Sequence, residues 1–94
     1  MIISNELANL TILVSFLEGN ERNHQIVPFR VYREDRQFKA IPLINSDERK
    51  KTRLPQEILF SFDHQGLTIE QGISEETLDV VKRILQELKM QRVV

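Results

Sequence analysis

Basic residues concentrate in the middle of the chain, where they could recognise an anion. The segment NSDERKKTR at positions 45–53 contains four of them, and the stretch from Pro28 to Arg53 contains eight basic and four acidic residues. That stretch carries +4 in a chain whose net charge is −1. Clustered guanidinium and ammonium groups bind phosphates and carboxylates. The candidate binding residues, here called the basic 30–53 surface, are Arg30, Tyr32, Arg33, Lys39, Arg49, Lys50, Lys51 and Arg53.

Three interpretations of this surface remain open. Arginine beside tyrosine on a sheet suits stacking with single-stranded nucleic acid. The same charges would also suit an acidic protein surface. The third interpretation is a solvated loop and a basic edge that prevents sheets from pairing with one another. The low net charge argues against a dedicated nucleic-acid binder.

Catalytic chemistry finds little support in the residue types. The chain has no cysteine, which excludes a thiol nucleophile, a disulfide or a cysteine-based zinc site. Its two histidines, His24 and His64, fall in polar segments predicted as loops, and its three glycines are isolated rather than grouped in a phosphate-binding loop. We therefore predict no enzymatic activity, no catalytic residue, no metal and no cofactor.

The C-terminal segment has the clearest helical pattern. Ser74 is a good N-cap, and Ile73 and Leu78 occupy the two positions of a hydrophobic staple. Acidic residues open the segment and basic residues follow, as the helix dipole favours. We predict a helix over about 75–91, with an apolar stripe formed by Leu78, Val81, Ile84, Leu85 and Leu88.

Two β-hairpins are predicted from alternating apolar residues. In the hairpin at about 57–71, a loop from Asp63 to Gly66 pairs Phe62 with Leu67 and Phe60 with Ile69. The hairpin at about 26–44 turns near Glu34 and Asp35 without a glycine, so its turn type is open. Its expected pairs are Val31 with Phe38, Phe29 with Ala40, Arg30 with Lys39, and Tyr32 with Gln37. This register places two like charges directly opposite each other.

Two segments are less regular. Residues 4–19 fit either a helix or a strand, and their β-branched centre favours a strand at about 10–17. In that strand Leu13 and Leu17 interrupt the polar face. Residues 45–55 interrupt the alternation and are predicted to be a loop.

These elements predict one α+β domain spanning residues 1–94. It consists of an antiparallel sheet of four to five strands with the C-terminal helix packed on one face. No apolar run is long enough to span a membrane, and the N-terminus lacks the basic region of a secretory signal, so we expect a cytoplasmic protein.

The function that follows from this composition is binding rather than catalysis. The N-terminal segment is apolar on more than one face, and a surplus apolar face usually meets a partner. Symmetric dimers are the commonest solution. We expect a non-enzymatic interaction module that forms a homodimer, with anion or nucleic-acid binding through the basic 30–53 surface as the alternative.

Overall fold

A computed structural model describes residues 4–69 and 73–92 of the chain. Two hairpins and a preceding long strand form a sheet, and two helices complete the fold. The elements are β1 Ser4–Glu18, β2 Glu21–Glu34, β3 Gln37–Pro42, α1 Ser46–Thr52, β4 Ile58–Asp63, β5 Gly66–Ile69 and α2 Glu75–Met90. The predicted α+β class is confirmed, and so are the antiparallel sheet and the C-terminal helix.

The five strands form a meander in the order β1-β2-β3-β4-β5, and each strand pairs antiparallel with the next. Tight turns join β1 to β2, β2 to β3 and β4 to β5, whereas the connection from β3 to β4 contains α1. The hairpin formed by β4 and β5 has the predicted register, with Phe60 opposite Ile69 and Phe62 opposite Leu67.

The ambiguous N-terminal segment is a strand, longer than predicted. Leu10, Ile12, Val14 and Phe16 are buried at a period of two, which only a strand can place on one face. A two-residue turn reverses the chain between Glu18 and Glu21. Gly19 has a φ of 64° in this turn, a conformation that glycine adopts without steric cost.

The register predicted for the β2–β3 hairpin is wrong by two residues. Val31 lies opposite Ala40 and Tyr32 opposite Lys39, so Arg30 faces Ile41 rather than Lys39. The turn is a tight one through Asp35 and Arg36, and Asp35 has a φ of 55°. Aspartate tolerates this left-handed region better than most residues, which lets a two-residue turn form without a glycine. A shift of two keeps every side chain on its predicted face.

The predicted loop at 45–55 is also wrong, because it contains the helix α1. Asn45 is the N-cap, and its side-chain oxygen accepts a hydrogen bond of 2.8 Å from the backbone N–H of Glu48. The spacing Asn-x-x-Glu before a run of charged residues is a helix-start signature. Arg53 ends the helix with a φ of 60°, the left-handed conformation of many helix C-termini.

Both helices lie on the same face of the sheet, here called the core face. The buried side of α2 presents Val80, Val81, Ile84 and Leu88 to the sheet. The opposite face of the sheet, here called the outer face, is covered by neither helix. None of the helices in residues 4–69 and 73–92 is long and apolar enough to cross a membrane. The core of the described residues consists of Ala8, Leu10, Ile12, Val14, Val27, Phe29, Val31, Phe38, Ala40, Leu54, Ile58, Phe60 and the four α2 residues named above.

Candidate interaction surfaces

The outer face carries large apolar side chains where water-facing strands usually carry polar ones. Leu13 and Ile26 lie directly opposite each other on β1 and β2, and they are 44% and 67% exposed. Leu17 lies four residues further along β1 on the same face, beyond Ser15. Leu43 continues β3 and donates its backbone N–H to the carbonyl of Pro28 at 2.8 Å, which places it opposite a residue two positions from Ile26. We call Leu13, Leu17, Ile26 and Leu43 the outer patch.

Charged residues at one end of the outer face are paired within the chain. Arg30 contacts the Glu6 carboxylate at 3.3 Å and the Asn9 side chain at 3.4 Å. Lys39 forms an ion pair with Glu34, and its ammonium nitrogen also lies 5.8 Å from the centre of the Tyr32 ring. The hydrogen bond to Glu34 raises the pKa of Lys39 above its ordinary value. These acids offset much of the positive charge expected at this end.

The predicted juxtaposition of Arg30 with Lys39 is therefore wrong. The two cations face an isoleucine and a tyrosine across the sheet, and each has its own acidic partner. Arg30 and Lys39 do not lie opposite each other, so electrostatic repulsion between them gives no reason to expect a bound anion. Tyr32 lies two residues after Arg30 on β2 and directly opposite Lys39 on β3. Its ring faces the Lys39 ammonium group.

Arg33 belongs to a different part of the molecule from Arg30 and Lys39. It lies opposite Phe38 on the core-face side of β2, and its guanidinium carbon is 5.8 Å from the centre of the Phe38 ring. A cation over an aromatic ring is favourable by electrostatics and by dispersion. This contact explains the placement of Arg33 without any ligand.

The helix α1 carries its cations on the core-face side. Gln25 donates a hydrogen bond of 2.8 Å to Glu48, which fixes α1 against β2. Lys51 lies 3.7 Å from Glu18 and 5.9 Å from the centre of the Phe16 ring. The sheet therefore separates the α1 cations from Arg30 and Lys39, and the basic 30–53 surface is two regions rather than one.

Three of the predicted site residues do come together, around a cavity. Arg49, Lys50 and Arg53 line a cavity of about 540 Å³ that is wide open to solvent, between α1, the segment that follows it and the first turn of α2. No acidic residue is among the described residues that line it. The remaining lining residues are Ser46, Leu54, Pro55, Gln56, Ile73 and Thr77.

A serine and a histidine also meet, on the outer face. Ser15 Oγ lies 2.8 Å from His24 Nδ1 across the β1–β2 ladder. His24 is on strand β2 rather than in the predicted loop, whereas His64 lies in the predicted turn between β4 and β5. A nucleophile and base need a third group to orient the base and donors to stabilise an oxyanion. Within the described ranges no hydrogen bond reaches His24 Nε2, and we interpret the contact as a cross-strand hydrogen bond.

Metal binding has no candidate site in the part of the chain that the structure describes. No group of three or more histidine, cysteine, aspartate or glutamate side chains converges there. The isolated positions of His24 and His64 on different elements agree with this finding.

Sequence reasoning missed the outer patch as a site, although part of its signal was visible. Leu13 and Leu17 interrupt the polar face of β1, and Ile26 does the same on β2. What could not be known was that both helices cover the other face. Comparison of the chain with protein-family models, with curated proteins and with solved structures gives no match.

Proposed function

We propose that the protein is a small, non-enzymatic interaction module that forms a homodimer through the outer face of its sheet. The observation that carries this proposal is the outer patch. Four large apolar residues are each at least 41% exposed on or beside one face of the β1–β2–β3 region. The protein has no cysteine, in keeping with the reducing cytoplasm that we propose as its location.

The outer patch is unusual because no helix or second sheet among the described residues covers this face, yet the face carries large apolar side chains. An antiparallel sheet with one side in water normally alternates apolar-in with polar-out. Here Ile26 points outward beside Val27, which is fully buried on the core face. The Ser15–His24 pair separates Leu17 from Leu13 and Ile26, so the apolar area is centred on the Leu13–Ile26 pair. Clusters of exposed apolar residues are typical of interaction sites. Burying them against a partner removes apolar area from water and stabilises the complex.

A second copy of the chain is the occupant that the charges favour. Arg22 lies at one end of the outer face, opposite Leu17, and Glu6 lies towards the other end, opposite Tyr32. A twofold axis near the middle of β2 would bring Arg22 of one copy towards Glu6 of the other, where Arg22 would share the Glu6 carboxylate with Arg30. The molecule measures 41 by 27 Å along its two longest axes. One face is thus large enough for the roughly 800 Å² per partner of a standard interface.

The open edge of β1 is a less favourable contact for a second copy. A β-bulge lies between Glu6 and Ala8, where the pairing with β2 shifts register. Bulges twist an edge strand away from regular pairing, and natural sheets use them to prevent edge-to-edge association. The outer face offers apolar area without this obstacle.

Nucleic-acid or acidic-protein binding by the whole basic 30–53 surface receives less support. Arg30 and Lys39 have acidic partners, and the sheet separates them from Arg49, Lys50 and Arg53. Phosphate contacts require cations that can be presented together along one strand. This alternative stays a prediction, and the test below includes it.

The decisive measurement is solution molar mass by light scattering at low and high salt, with the 260/280 nm absorbance ratio recorded. We expect a dimer whose mass is nearly independent of salt, because apolar contacts are not screened by ions. Ile26→Lys should give a monomer, since it places a charge at the centre of the contact. Gln86→Lys is the matched control, because it adds the same charge on the exposed side of α2.

Three results would overturn the proposal. One is a wild-type monomer at all concentrations tested. Another is a dimer that Ile26→Lys leaves intact, which would move the contact to a different surface. The third is a monomer that carries nucleic acid at low salt and releases it at high salt, which would promote the electrostatic alternative.

A further inference from the structure

We propose that the cavity between α1 and the first turn of α2 binds a small organic phosphate. This site lies on the core-face side of the molecule and is independent of the proposed dimer contact. It uses Arg49, Lys50 and Arg53, and it excludes the other members of the basic 30–53 surface.

The cavity collects positive charge that the chain does not neutralise there. Arg49, Lys50 and Arg53 all line it, and no acidic side chain does so among the described residues. Lys51 belongs to the same helix but forms its ion pair with Glu18 outside the cavity. The three cations line one space, and a cavity lined by one sign of charge concentrates ions of the opposite sign.

Arg49 provides the second observation, because one of its donors has no acceptor. Its Nε atom is buried and has no hydrogen-bond partner in the part of the chain that the structure describes. Leaving a buried donor unsatisfied costs free energy, and such groups are rare in native proteins. A shift of the Arg49 side chain towards the cavity would expose this donor to a bound anion, which would supply the missing acceptor. Guanidinium groups are suited to this role, because their planar donors match phosphate oxygens in pairs.

The positions of these cations in α1 have a structural explanation that covers only part of the arrangement. Basic residues in the last turn of a helix interact favourably with its dipole. That explanation suffices for Lys51, whose ammonium group is half-exposed and already paired. It does not account for the buried, unpartnered Nε of Arg49 or for three cations facing one cavity.

The rest of the cavity wall indicates the kind of anion. Leu54, Pro55 and Ile73 provide apolar surface beside the cations. Ser46 and Thr77 add hydroxyl-bearing residues. A free inorganic ion would leave the apolar part of the wall uncovered, whereas a phosphate attached to an organic group would contact both parts. A wall that combines cations, hydroxyl groups and apolar surface suits a small organic anion, because such pockets use apolar contact for affinity and polar groups for orientation.

Calorimetry and ¹⁵N–¹H correlation spectra of the full chain would test this site with three probes. The probes are phenyl phosphate, inorganic phosphate and phenol. We expect phenyl phosphate to bind more tightly than inorganic phosphate, and phenol not to bind. Amide shifts should be confined to residues 46–56 and 73–77, the segments around the cavity.

Variants of single cations separate a built site from general attraction. Arg49→Gln and Arg53→Asn should each weaken phenyl phosphate binding about tenfold or more, since each removes a charge-assisted hydrogen-bond donor. Asparagine is chosen at position 53 because it tolerates the positive φ there. Lys51→Gln is the matched control, because it removes one charge from the same helix without touching the cavity. It should change affinity by about twofold or less, since long-range attraction between exposed charges is screened.

The proposal fails if phenyl phosphate does not bind to the folded wild-type chain. It also fails if Lys51→Gln weakens binding as much as Arg53→Asn, because the interaction would then follow net charge alone. Should Arg49→Gln prevent folding, Arg53→Asn still decides, since residue 53 is exposed. The oligomeric state measured above is a separate result, so either proposal can fail without the other.

Discussion

The two faces of the β1–β2 ribbon contrast sharply, although both carry large apolar side chains. On the core face Val14, Val27 and Phe29 are fully buried in the core that α2 completes. On the outer face Ile26, the chain neighbour of Val27, is 67% exposed. Side-chain type does not separate these residues, because isoleucine is as apolar as valine. What separates them is a second layer, because the helices cover the core face and leave the outer face in contact with water.

Truncating one residue on each face would test this contrast most directly. Phe29→Ala should lower the free energy of unfolding by about 3–5 kcal/mol, the usual cost of removing a buried phenylalanine. Ile26→Ala removes a large side chain from the adjacent outer face and should change it by about 0.5 kcal/mol or less in the monomer. Urea unfolding measures both values, at protein concentrations below the dissociation constant of the proposed dimer. Equal losses in the two variants would show that Ile26 is packed within the monomer.

The helix α1 contributes to the difference between the two faces, because it packs on the core face beside β1 and β2. Asn45→Ala removes the N-cap and should lower the free energy of unfolding by about 1 kcal/mol. Ser46→Ala changes the next residue, which is exposed, and serves as the control. Urea midpoints and amide exchange rates of residues 46–52 would report the loss. Unchanged exchange in Asn45→Ala would mean that contacts such as Gln25 with Glu48, rather than the cap, hold α1 in place.

The smallest effect concerns charge on the outer face. Because its bond to Glu34 raises the pKa of Lys39, the folded state holds this proton more tightly than the unfolded state. The resulting stabilisation is complete below the ordinary lysine value of 10.5 and is lost as pH rises through the raised value. Thermal unfolding between neutral and strongly alkaline pH should show a steeper decline in wild type than in Lys39→Gln.

Lys82→Gln, which removes an exposed lysine from α2, is the matched control for that experiment. It should retain the wild-type decline. If Lys39→Gln and Lys82→Gln behave alike, the pair of Lys39 with Glu34 contributes no more than an ordinary surface charge.

Local patterns in the sequence predicted the elements that have strong periodicity. The helix at 75–90 followed from its cap, staple and stripe, and the hairpin of β4 and β5 followed from alternation around Gly66. The β2–β3 hairpin had the correct faces but the wrong register, since alternation repeats every two residues and allows a shift of two. The turn through Asp35 fixed the register, and its left-handed conformation is not encoded by a glycine.

The site was harder to predict than the elements. Arg49, Lys50 and Arg53 are neighbours in the chain and line one cavity in the structure. Arg30 and Lys39, which the sequence grouped with them, lie on the outer face of the sheet, whereas α1 packs on the core-face side. The α1 helix was missed although Asn45 and Glu48 have the spacing of a helix start. Its seven residues carry too few apolar positions for a periodic signal.

The sequence by itself determined the C-terminal helix, the β4–β5 hairpin and the faces of the β2–β3 hairpin. These properties depend on residues two to four positions apart, a range over which backbone geometry is fixed. Only the tertiary structure decided that both helices cover the same face of the sheet. As a result Ile26 and Leu13 are exposed on the other face, and three cations line one cavity beside α1. Contacts between elements distant in sequence decide those outcomes, because the side of the sheet on which a helix docks depends on packing across the whole core.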